Sequence, residues 1–516
     1  MDNNTLRTEQ NLTQNLHFFN NSVNHNFKIG VDLDISSKSI LSLYTSQNFD
    51  NNSLETNSLI NQNSNLLFNN YSLSTYKQKD EFYNANYVYN FNDEGQNLEV
   101  ELNYNITNNP ETTLNTEQIN NTSKEYNYTN AINDTRKLWL LNIDYVKPIK
   151  SGKIEFGVEF RKQDFFNHIL TDQEVAINTI VPVGNTTLNY NRNIYSGYFN
   201  FNKEFKKFTI QTGIRFEQFN LDALFSNTQQ GTTPLKDHIF SIYPSASISY
   251  TITDKDEIQL AYSRRVDRPS AYQVTPIQEW NSPLAISKGN IYLSPQFTNS
   301  IELNYTKTIN KGNISFGTFY RRTHDKIGRI LQKDNLNSDK VISSFTNYDF
   351  ADSYGIELSG SYKPFKWWTF RPSFETYIQD SQGLLNNSFE KVKNTIIKGR
   401  VSNSFIASKK LSFQLSAIYR GKSESIQYTV DPYFTVNMGA RLKVFDGKGS
   451  ITLRGNDIFN NLNFDYSSKN PFIQKGKYTL ELNTIFLGFN YNFGSGKNKR
   501  KGRKYRDDNE SQGGMF

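Results

Sequence analysis

The chain has 516 residues with a formal net charge of +7, no cysteine, 31 tyrosines and 39 phenylalanines. Zero cysteine excludes a disulfide scaffold and thiolate-based zinc or iron–sulfur sites, and no apolar run approaches the ~18 residues that a membrane helix needs. Aromatic residues make up 14% of the chain, which argues against wholesale disorder because disordered chains are poor in aromatics.

Apolar and polar residues alternate with a period of two along several segments. In chain order, the clearest are residues 27–35, 98–106, 300–306, 434–444 and 485–493. In the third of these, Ile301, Leu303 and Tyr305 alternate with Glu302 and Asn304. The pattern predicts β-strands with one apolar and one polar face. Its length of about 9–11 residues suits a tilted strand that crosses a membrane.

Short turns separate these strands into hairpins. They are rich in Gly, Pro, Asn, Asp and Lys, as tight hairpins require. The nine turns lie at 36–37, 92–96, 147–152, 203–206, 254–256, 310–313, 363–366, 407–410 and 446–449. Between them lie segments rich in Asn, Ser, Thr and Gln, such as 51–82, 108–133, 166–190 and 267–296. We expect these segments to be longer polar connections.

The pattern as a whole predicts an all-β protein, a transmembrane antiparallel β-barrel of about 20 strands. Short periplasmic turns on one side and long extracellular loops on the other are typical of outer-membrane barrels. Nine hairpins give 18 strands, and a first strand near residues 5–18 and a last strand at 485–493 complete the count. We expect lipid-facing and lumen-facing residues to alternate. The lipid-facing set includes Leu303, Tyr305, Leu442, Leu487 and Phe489, and the lumen-facing set includes Glu302, Asn304, Arg441 and Asn490.

A β-propeller is the main alternative, because a repeat near 50 residues also suits propeller blades of the kelch type. Such blades need four short strands in each repeat, with recurring Gly and Trp. Each repeat of this chain offers two long strands, and the chain has only four Trp. The barrel is therefore favoured.

No catalytic or metal-binding constellation is evident in the sequence. The histidines are isolated, without a metal-like partner at helical spacing; they are His17, His25, His168, His238 and His324. Much of the positive charge lies after residue 496, so the body is close to neutral and shows no nucleic-acid footprint. We expect no enzyme activity, no metal, no cofactor and no nucleic-acid partner.

Loop residues remain as candidates for ligand binding. Aromatic residues on the apolar faces are expected to contact lipid or form a girdle at the membrane interface. Tyr272 and Trp280 instead lie in the long segment 267–296, where they would stack on a ligand. Arg268 lies in the same segment and is the third candidate.

Three motifs carry a resemblance to TonB-dependent outer-membrane receptors. The first is the stretch Arg268-Pro269, Gly289-Asn290 with Leu293 and Pro295, and Glu302-Leu303-Asn304-Tyr305. The others are 354–358 (Tyr-Gly-Ile-Glu-Leu) and 456–460 (Asn-Asp-Ile-Phe-Asn). Their order and spacing resemble the barrel region of that family from about residue 20 to the end of the chain. The resemblance implies an outer-membrane location in a Gram-negative cell.

Receptors of this family also carry an N-terminal plug domain that contacts TonB, and we expect this chain to lack the plug and a signal peptide. The resemblance places residue 1 about two strands inside a 22-stranded barrel. We therefore expect residues 1–22 to begin an incomplete barrel, 23–493 to form the barrel, and 494–516 to be a disordered basic periplasmic tail. The strand at 485–493 resembles the terminal signal that the barrel-assembly machinery recognises.

The expected function is binding and uptake of a nutrient or metal chelate, dependent on TonB in the intact protein. A barrel of about 20 strands has a lumen wider than side chains alone fill. Three other classes stay open on the sequence: a plugless porin, an adhesin that exposes its loops, and a membrane-embedded enzyme. The sequence does not define the ligand.

Overall fold

The computed structural model describes residues 2–7, 11–92, 94–119, 124–173, 185–228, 231–276, 278–282, 285–334, 340–385, 388–480 and 483–493. The tail predicted to be disordered, 494–516, lies outside these residues. In the described part of the chain, 26 strand segments form a single sheet.

The strands of the first half are long. They are β1 (Asp2–Arg7), β2 (Leu12–Ser36), β3 (Ser39–Gln62), β4 (Asn65–Asn90), β5 (Asn97–Ile119), β6 (Lys124–Ile149), β7 (Gly152–Gln173), β8 (Asn185–Phe205), β9 (Phe208–Asn227), β10 (Gly231–Thr253), β11 (Asp256–Asp267), β12 (Gln278–Ser282) and β13 (Ala285–Lys288).

Several strands of the second half are interrupted. They are β14 (Gln296–Ile309), β15 (Gly312–Lys333), β16 (Val341–Phe365), β17 (Trp368–Leu385), β18 (Ser388–Ile406), β19 (Leu411–Arg420), β20 (Ser423–Glu424), β21 (Tyr428–Val430), β22 (Tyr433–Val444), β23 (Gly449–Asn456), β24 (Asn463–Ser468), β25 (Gln474–Thr479) and β26 (Thr484–Tyr491). Two short helices accompany them, α1 (Ala271–Val274) and a 3-10 turn at Phe445–Gly447.

Sequential strands pair antiparallel around the sheet. The ladder runs from β1 to β11, continues through β14 to β19, and then joins β22, β23 and β26. β21 and β24 pair beyond the breaks in their strands, and β24 also pairs with β25. When each interrupted strand is counted once, the described residues form 20 strands of the barrel wall, which we call crossings. β1 is the shortest of these and only a partial crossing. The predicted fold class is confirmed.

β1 lies between β2 and the last crossing, with which it pairs through β25. This pairing is at the end of the barrel opposite the short turns, which we call the loop rim. Thr5 of β1 lies opposite Gln14 of β2 on one side and opposite Gly476 of β25 on the other. β1 therefore supplies hydrogen-bond partners to the facing edges of β2 and β25 over this short stretch. The last crossing therefore pairs with β1 at the loop rim, through β25.

Closer to the short turns, which form the turn rim, the described residues leave a gap between β2 and the last crossing. Residues 19–36 of β2 pair with β3 alone, and β26 pairs with β23 alone. Their apolar side chains are correspondingly open: Ile29 is 73% exposed and Leu487 is 72% exposed, against 40% for Leu303 in the continuous wall. We call this gap the seam.

Each of the nine predicted short turns is present. The strands on either side of them end and begin within a few residues of the predicted positions, as at Ser36 and Ser39 or at Ile309 and Gly312. Asn, Gly and Lys occupy them, and Lys311 and Ser151 take positive φ angles of 81° and 57°. These backbone conformations are those of tight hairpin turns.

The polar connections differ from the prediction in three places. In the segment 166–190, the described residues 166–173 and 185–190 belong to β7 and β8. The segments 51–82 and 108–133 are mostly strand, because β3 and β4 continue to a turn at 63–64 and β5 and β6 continue to 119 and from 124. Side chains such as Ser74 and Thr113 bond across the strands at 2.6 Å. Outside lipid a sheet needs no apolar face, so the ladder simply continues. The segment between β11 and β14 does remain a long connection.

The two faces of the sheet follow the predicted alternation. Leu303, Leu442, Leu487 and Phe489 are exposed on the outer, lipid-facing side. The opposite face carries the charges, with the Arg321 Nη2 atom 3.0 Å from Glu302 Oε1 and the Arg441 Nη2 atom 3.2 Å from the Ser450 hydroxyl.

Aromatic rings form the predicted girdle at the turn rim. Ring centroids of neighbouring hairpins lie 5.9 Å apart for Phe91 and Tyr145, 4.9 Å for Tyr145 and Phe156, and 4.7 Å for Phe208 and Tyr250. Amphipathic and aromatic rings concentrate where hydrocarbon meets headgroups. The girdle therefore fixes the lower boundary of the membrane close to the turns.

The alternation yields a test with two adjacent residues. Leu303 lies seven positions before the turn at 310–311, and a lysine there should lower the free energy of unfolding by about 2–4 kcal/mol, as at a bilayer midplane. Asn304→Lys, which faces the lumen, should cost much less. Urea unfolding in phospholipid vesicles, followed by tryptophan fluorescence, compares them. Equal losses would contradict the assigned faces.

The pairing of β1 with β25 can be tested by cross-linking, since the chain has no native cysteine. Leu6 and Lys475 lie directly opposite each other, so cysteines at these two positions should be joined by a short bis-maleimide. Directly opposed Cβ atoms are about 5 Å apart. Mass spectrometry of the digested protein measures the product. A Leu33→Cys, Phe489→Cys pair across the seam is the control, and it should not cross-link.

Candidate ligand-binding site in the lumen

The connection between β11 and β14 folds against the inner wall of the barrel. It contains α1 and the hairpin of β12 and β13, and β13 adds in parallel to the end of β16 through Ala285 and Val341. Asn290 donates its Nδ2–H to the Phe345 carbonyl at 3.0 Å, and Asn347 accepts from the Ser294 N–H at 2.8 Å. These bonds hold the connection, which we call the inner loop (268–295), against the inner wall near the loop rim.

An apolar cluster lies beneath the inner loop. Val274 and Leu293 of the loop pack with inward-facing residues of β8, β9 and β16. The buried wall residues are Leu188, Tyr190, Ile194, Phe219, Leu221, Ala223, Phe225 and Phe345. Such burial stabilises the loop by roughly 25 cal/mol for each Å² of apolar surface removed from water. The inner loop is therefore a packed part of the barrel.

A buried charge network anchors the start of the inner loop. Arg268, only 2% exposed, pairs with Glu217 through a short contact. Arg215 bridges Glu217 and Glu159, with its Nε 3.1 Å from Glu217 Oε2 and its Nη2 3.0 Å from Glu159 Oε1. Arg161 completes the network at 3.5 Å from Glu159. Three guanidinium groups and two carboxylates thus form one continuous, largely buried network.

Other guanidinium groups lie beside this network. Arg192, 1% exposed, is on the same face, because it is opposite Leu221 while Ile194 is opposite Phe219. In the described part of the chain, the Nη1 atom of Arg268 is buried without a hydrogen-bond partner. The Arg268 guanidinium also lies over the Phe219 ring, 4.8 Å from the centroid. The wall under the inner loop is thus rich in guanidinium groups.

The three residues singled out from the sequence fall in different places. Arg268 is buried in the charge network and anchors the loop. Tyr272 is 48% exposed and packs edge-to-face against Phe345 with centroids 5.9 Å apart, so it is available to a ligand at the surface of the inner loop. Trp280 lies in β12 opposite Ile286; its side chain lies outside the described part of the structure.

The other charged members of the site were not singled out from the sequence. Glu159 and Arg161, and likewise Arg215 and Glu217, are i, i+2 pairs on inward-facing positions of β7 and β9, the two strands that flank β8. Alternation alone places each pair in the lumen. It does not tell which lumen charges meet, because that depends on the register of β7, β8 and β9.

In the described residues, no group of three or more His, Asp or Glu side chains is placed to hold a metal ion. No helix in this part of the chain is long and apolar enough to cross a membrane.

A sheet of 20 crossings with a lipid-facing apolar wall, an aromatic girdle and a charged lumen defines an outer-membrane β-barrel. Residues 89–491 match the model of the outer membrane protein beta-barrel family, and the chain belongs to that family. No curated protein matches the sequence. The resemblance to outer-membrane receptors and the outer-membrane location are confirmed.

Solved structures of outer-membrane receptors and transporters share the fold. The copper transporter OprC superposes with a TM-score of 0.58 at 8% identity, over 93% of this chain and 80% of that chain. The siderophore receptor PiuA from Acinetobacter baumannii gives 0.56 at 11% identity, over 92% and 80%. The ferric-catecholate import receptor Fiu from E. coli K12 gives 0.54 at 9% identity, over 92% and 80%. At these identities the likeness shows the fold alone.

The charge network predicts that Arg268 holds the inner loop in place. Arg268→Ala leaves Glu217 buried without its nearest cation, and breaking a buried pair in this way costs about 3–5 kcal/mol. We expect trypsin to cleave the folded barrel after Lys288 much faster in this variant, as measured by mass spectrometry. The control is Arg265→Ala, at an exposed position three residues away.

A double variant separates lost charge from lost packing. Arg268→Met with Glu217→Met removes both charges and retains most of the volume, so Lys288 should regain much of its protection. Rapid cleavage in the double variant, or none in Arg268→Ala, would show that the network does not anchor the loop.

Proposed function

We propose that this barrel is the membrane part of a receptor that binds and takes up an anionic metal chelate. The observation that carries the proposal is the cluster of guanidinium groups on the lumen wall beneath the inner loop, where Arg268 Nη1 is buried without a hydrogen-bond partner, beside the exposed ring of Tyr272. Chelates in which carboxylates or catecholates surround a metal are anionic and present flat faces. A guanidinium-rich wall and an aromatic ring suit such a ligand.

The names of similar structures support the same class. They include a ferric-catecholate import receptor, a siderophore receptor and a copper transporter, proteins that handle metals or metal chelates. In this proposal the barrel binds its ligand without chemical change. Energy for uptake comes from TonB through a plug domain, as the family resemblance implies, and the barrel-assembly machinery inserts the chain.

Binding of two ferric chelates of different charge tests the proposal. The purified barrel is refolded in detergent, and equilibrium dialysis measures its affinity for the ferric tris(2,3-dihydroxybenzoate) anion and for neutral ferric tris(acetohydroxamate). The anion should bind, and the neutral chelate should bind at least about tenfold more weakly. Equal affinities would remove the role of the guanidinium-rich wall, and no binding of either chelate would contradict the proposed ligand class.

Tyr272 provides the site-directed test. Tyr272→Ala should weaken binding of the ferric anion by roughly 3- to 10-fold, the usual worth of one aromatic contact. Tyr292→Ala is the matched control, because Tyr292 lies in the same inner loop and is 84% exposed. If both variants bind like the unaltered protein, the ligand does not contact Tyr272.

Two other measurements address the alternative classes. Conductance of the purified barrel in a planar bilayer, without any added plug, would favour a porin. Hydrolysis of lipid or peptide by the purified protein would favour an enzyme. An adhesin would bind neither chelate and conduct no ions.

A further inference from the structure

A single hydrogen-bond pattern repeats at the turn rim. At eight turns in the described residues, one turn residue accepts a backbone N–H from the end of the next hairpin at 2.7–2.8 Å. Six of these eight acceptors are lysines, namely Lys38, Lys207, Lys255, Lys311, Lys410 and Lys448. We call them the lysine ring. The same residue type thus occupies an equivalent structural position around the rim.

The side chains of three ring members clasp the neighbouring turn. Lys38 Nζ donates to the Phe91 carbonyl at 3.2 Å, Lys207 Nζ to the Ile252 carbonyl at 3.1 Å, and Lys311 Nζ to the Pro364 carbonyl at 2.8 Å. An ammonium group has three donors. One contact to a carbonyl therefore fixes the position of each ammonium and leaves two donors for another acceptor.

The lysine ring lies just below the aromatic girdle. All six lysines are exposed, and the girdle residues Phe91, Phe208 and Tyr250 lie next to the same turns. Lysines beside an aromatic belt extend their charged ends to the level of the lipid headgroups. The ring is therefore placed at the depth of phosphate groups.

The charge of the turns is strongly biased. The nine turns, counted with the strand residues that flank them, contain ten lysines, five acidic residues and no arginine. One of the acids, Asp256, is already bound by Lys307 Nζ at 3.1 Å and by the Tyr305 hydroxyl at 2.6 Å. The turns therefore carry more cations than acidic groups, and the lipid-facing wall next to them is apolar.

From this placement we propose that the lysine ring binds the phosphates of anionic phospholipids in the periplasmic leaflet. The ammonium groups of the ring donate to the phosphate oxygens, Lys38, Lys207 and Lys311 with the two donors that their carbonyl contacts leave, and the girdle packs against the upper part of the acyl chains. Anionic lipids such as phosphatidylglycerol are favoured over zwitterionic ones, because the latter bring their own cation. The barrel would thereby collect an annulus of anionic lipid on one leaflet.

Brominated lipids measure this preference directly. Trp367 and Trp368 lie at the turn 365–368, close to the ring, and brominated acyl chains quench tryptophan fluorescence on contact. The full chain is reconstituted in phosphatidylcholine vesicles that contain one-fifth brominated phosphatidylglycerol or one-fifth brominated phosphatidylcholine. Relative binding constants from the quenching should favour phosphatidylglycerol by about fivefold, the factor expected for one lysine near an anionic surface.

Two matched variants separate position from net charge. Changing all six ring lysines to Gln should abolish the preference. Changing six exposed lysines away from the turns, Lys77, Lys236, Lys391, Lys393, Lys422 and Lys475, alters the net charge equally and should leave it intact. Heat-modifiable migration on a gel confirms that each variant is folded.

Salt provides a second measurement that needs no variant. Raising NaCl to 0.5 M should reduce the preference of the unaltered protein towards unity, because exposed charges are screened at that ionic strength. Equal quenching by both brominated lipids at low salt would overturn the proposal. So would a preference that survives the ring variant, or one that the control variant loses as well.

Discussion

Backbone hydrogen bonding in a solvent without donors or acceptors is the constraint on which this structure depends. Each unpaired N–H or C=O in hydrocarbon costs several kcal/mol, so a strand that contacts lipid is most stable with a neighbour on both edges. The ladder from β2 to β26 provides these neighbours around the wall, and the two facing edges of the seam are the exception in the described residues. At the turn rim, the eight repeated bonds between adjacent hairpins continue the same network beyond the last ladder pair.

The parts of the fold that lipid dictates could be predicted from the sequence. Leu303 and Glu302 were assigned to opposite faces because a membrane strand must alternate, and the nine turns were located because Asn, Gly and Lys suit tight hairpins. The extensions of β3 to β6 could not be predicted. Their Asn, Ser and Thr residues form pairs such as Ser74 with Thr113, yet the same residues are typical of loops, and no apolar face distinguishes the two.

The site was only partly predictable for a related reason. Arg268 was singled out, but an arginine before a proline in a polar segment suggests an exposed ligand contact. Its burial depends on Glu217, 51 residues away, and on the register that brings Glu217 and Glu159 to the same arginine. Pairings between strands of a barrel are set by ladder register, which alternation leaves undetermined. Tyr272 kept its exposure because the inner loop buries Val274 and Leu293 instead.

The seam follows from strand direction. β2 runs toward the turn rim at Ser36, and β26 runs toward the same rim at Tyr491, so the two edges are parallel to each other. An antiparallel sheet can join parallel edges only through an odd number of strands. β1 is such a strand: it runs toward the loop rim and pairs with β2 and β25 over residues 2–7. Since β1 lies between β2 and β25 but pairs with them only over residues 2–7, the space of one strand is left open closer to the turn rim. β26 and residues 19–36 of β2 face each other across that space and do not pair directly.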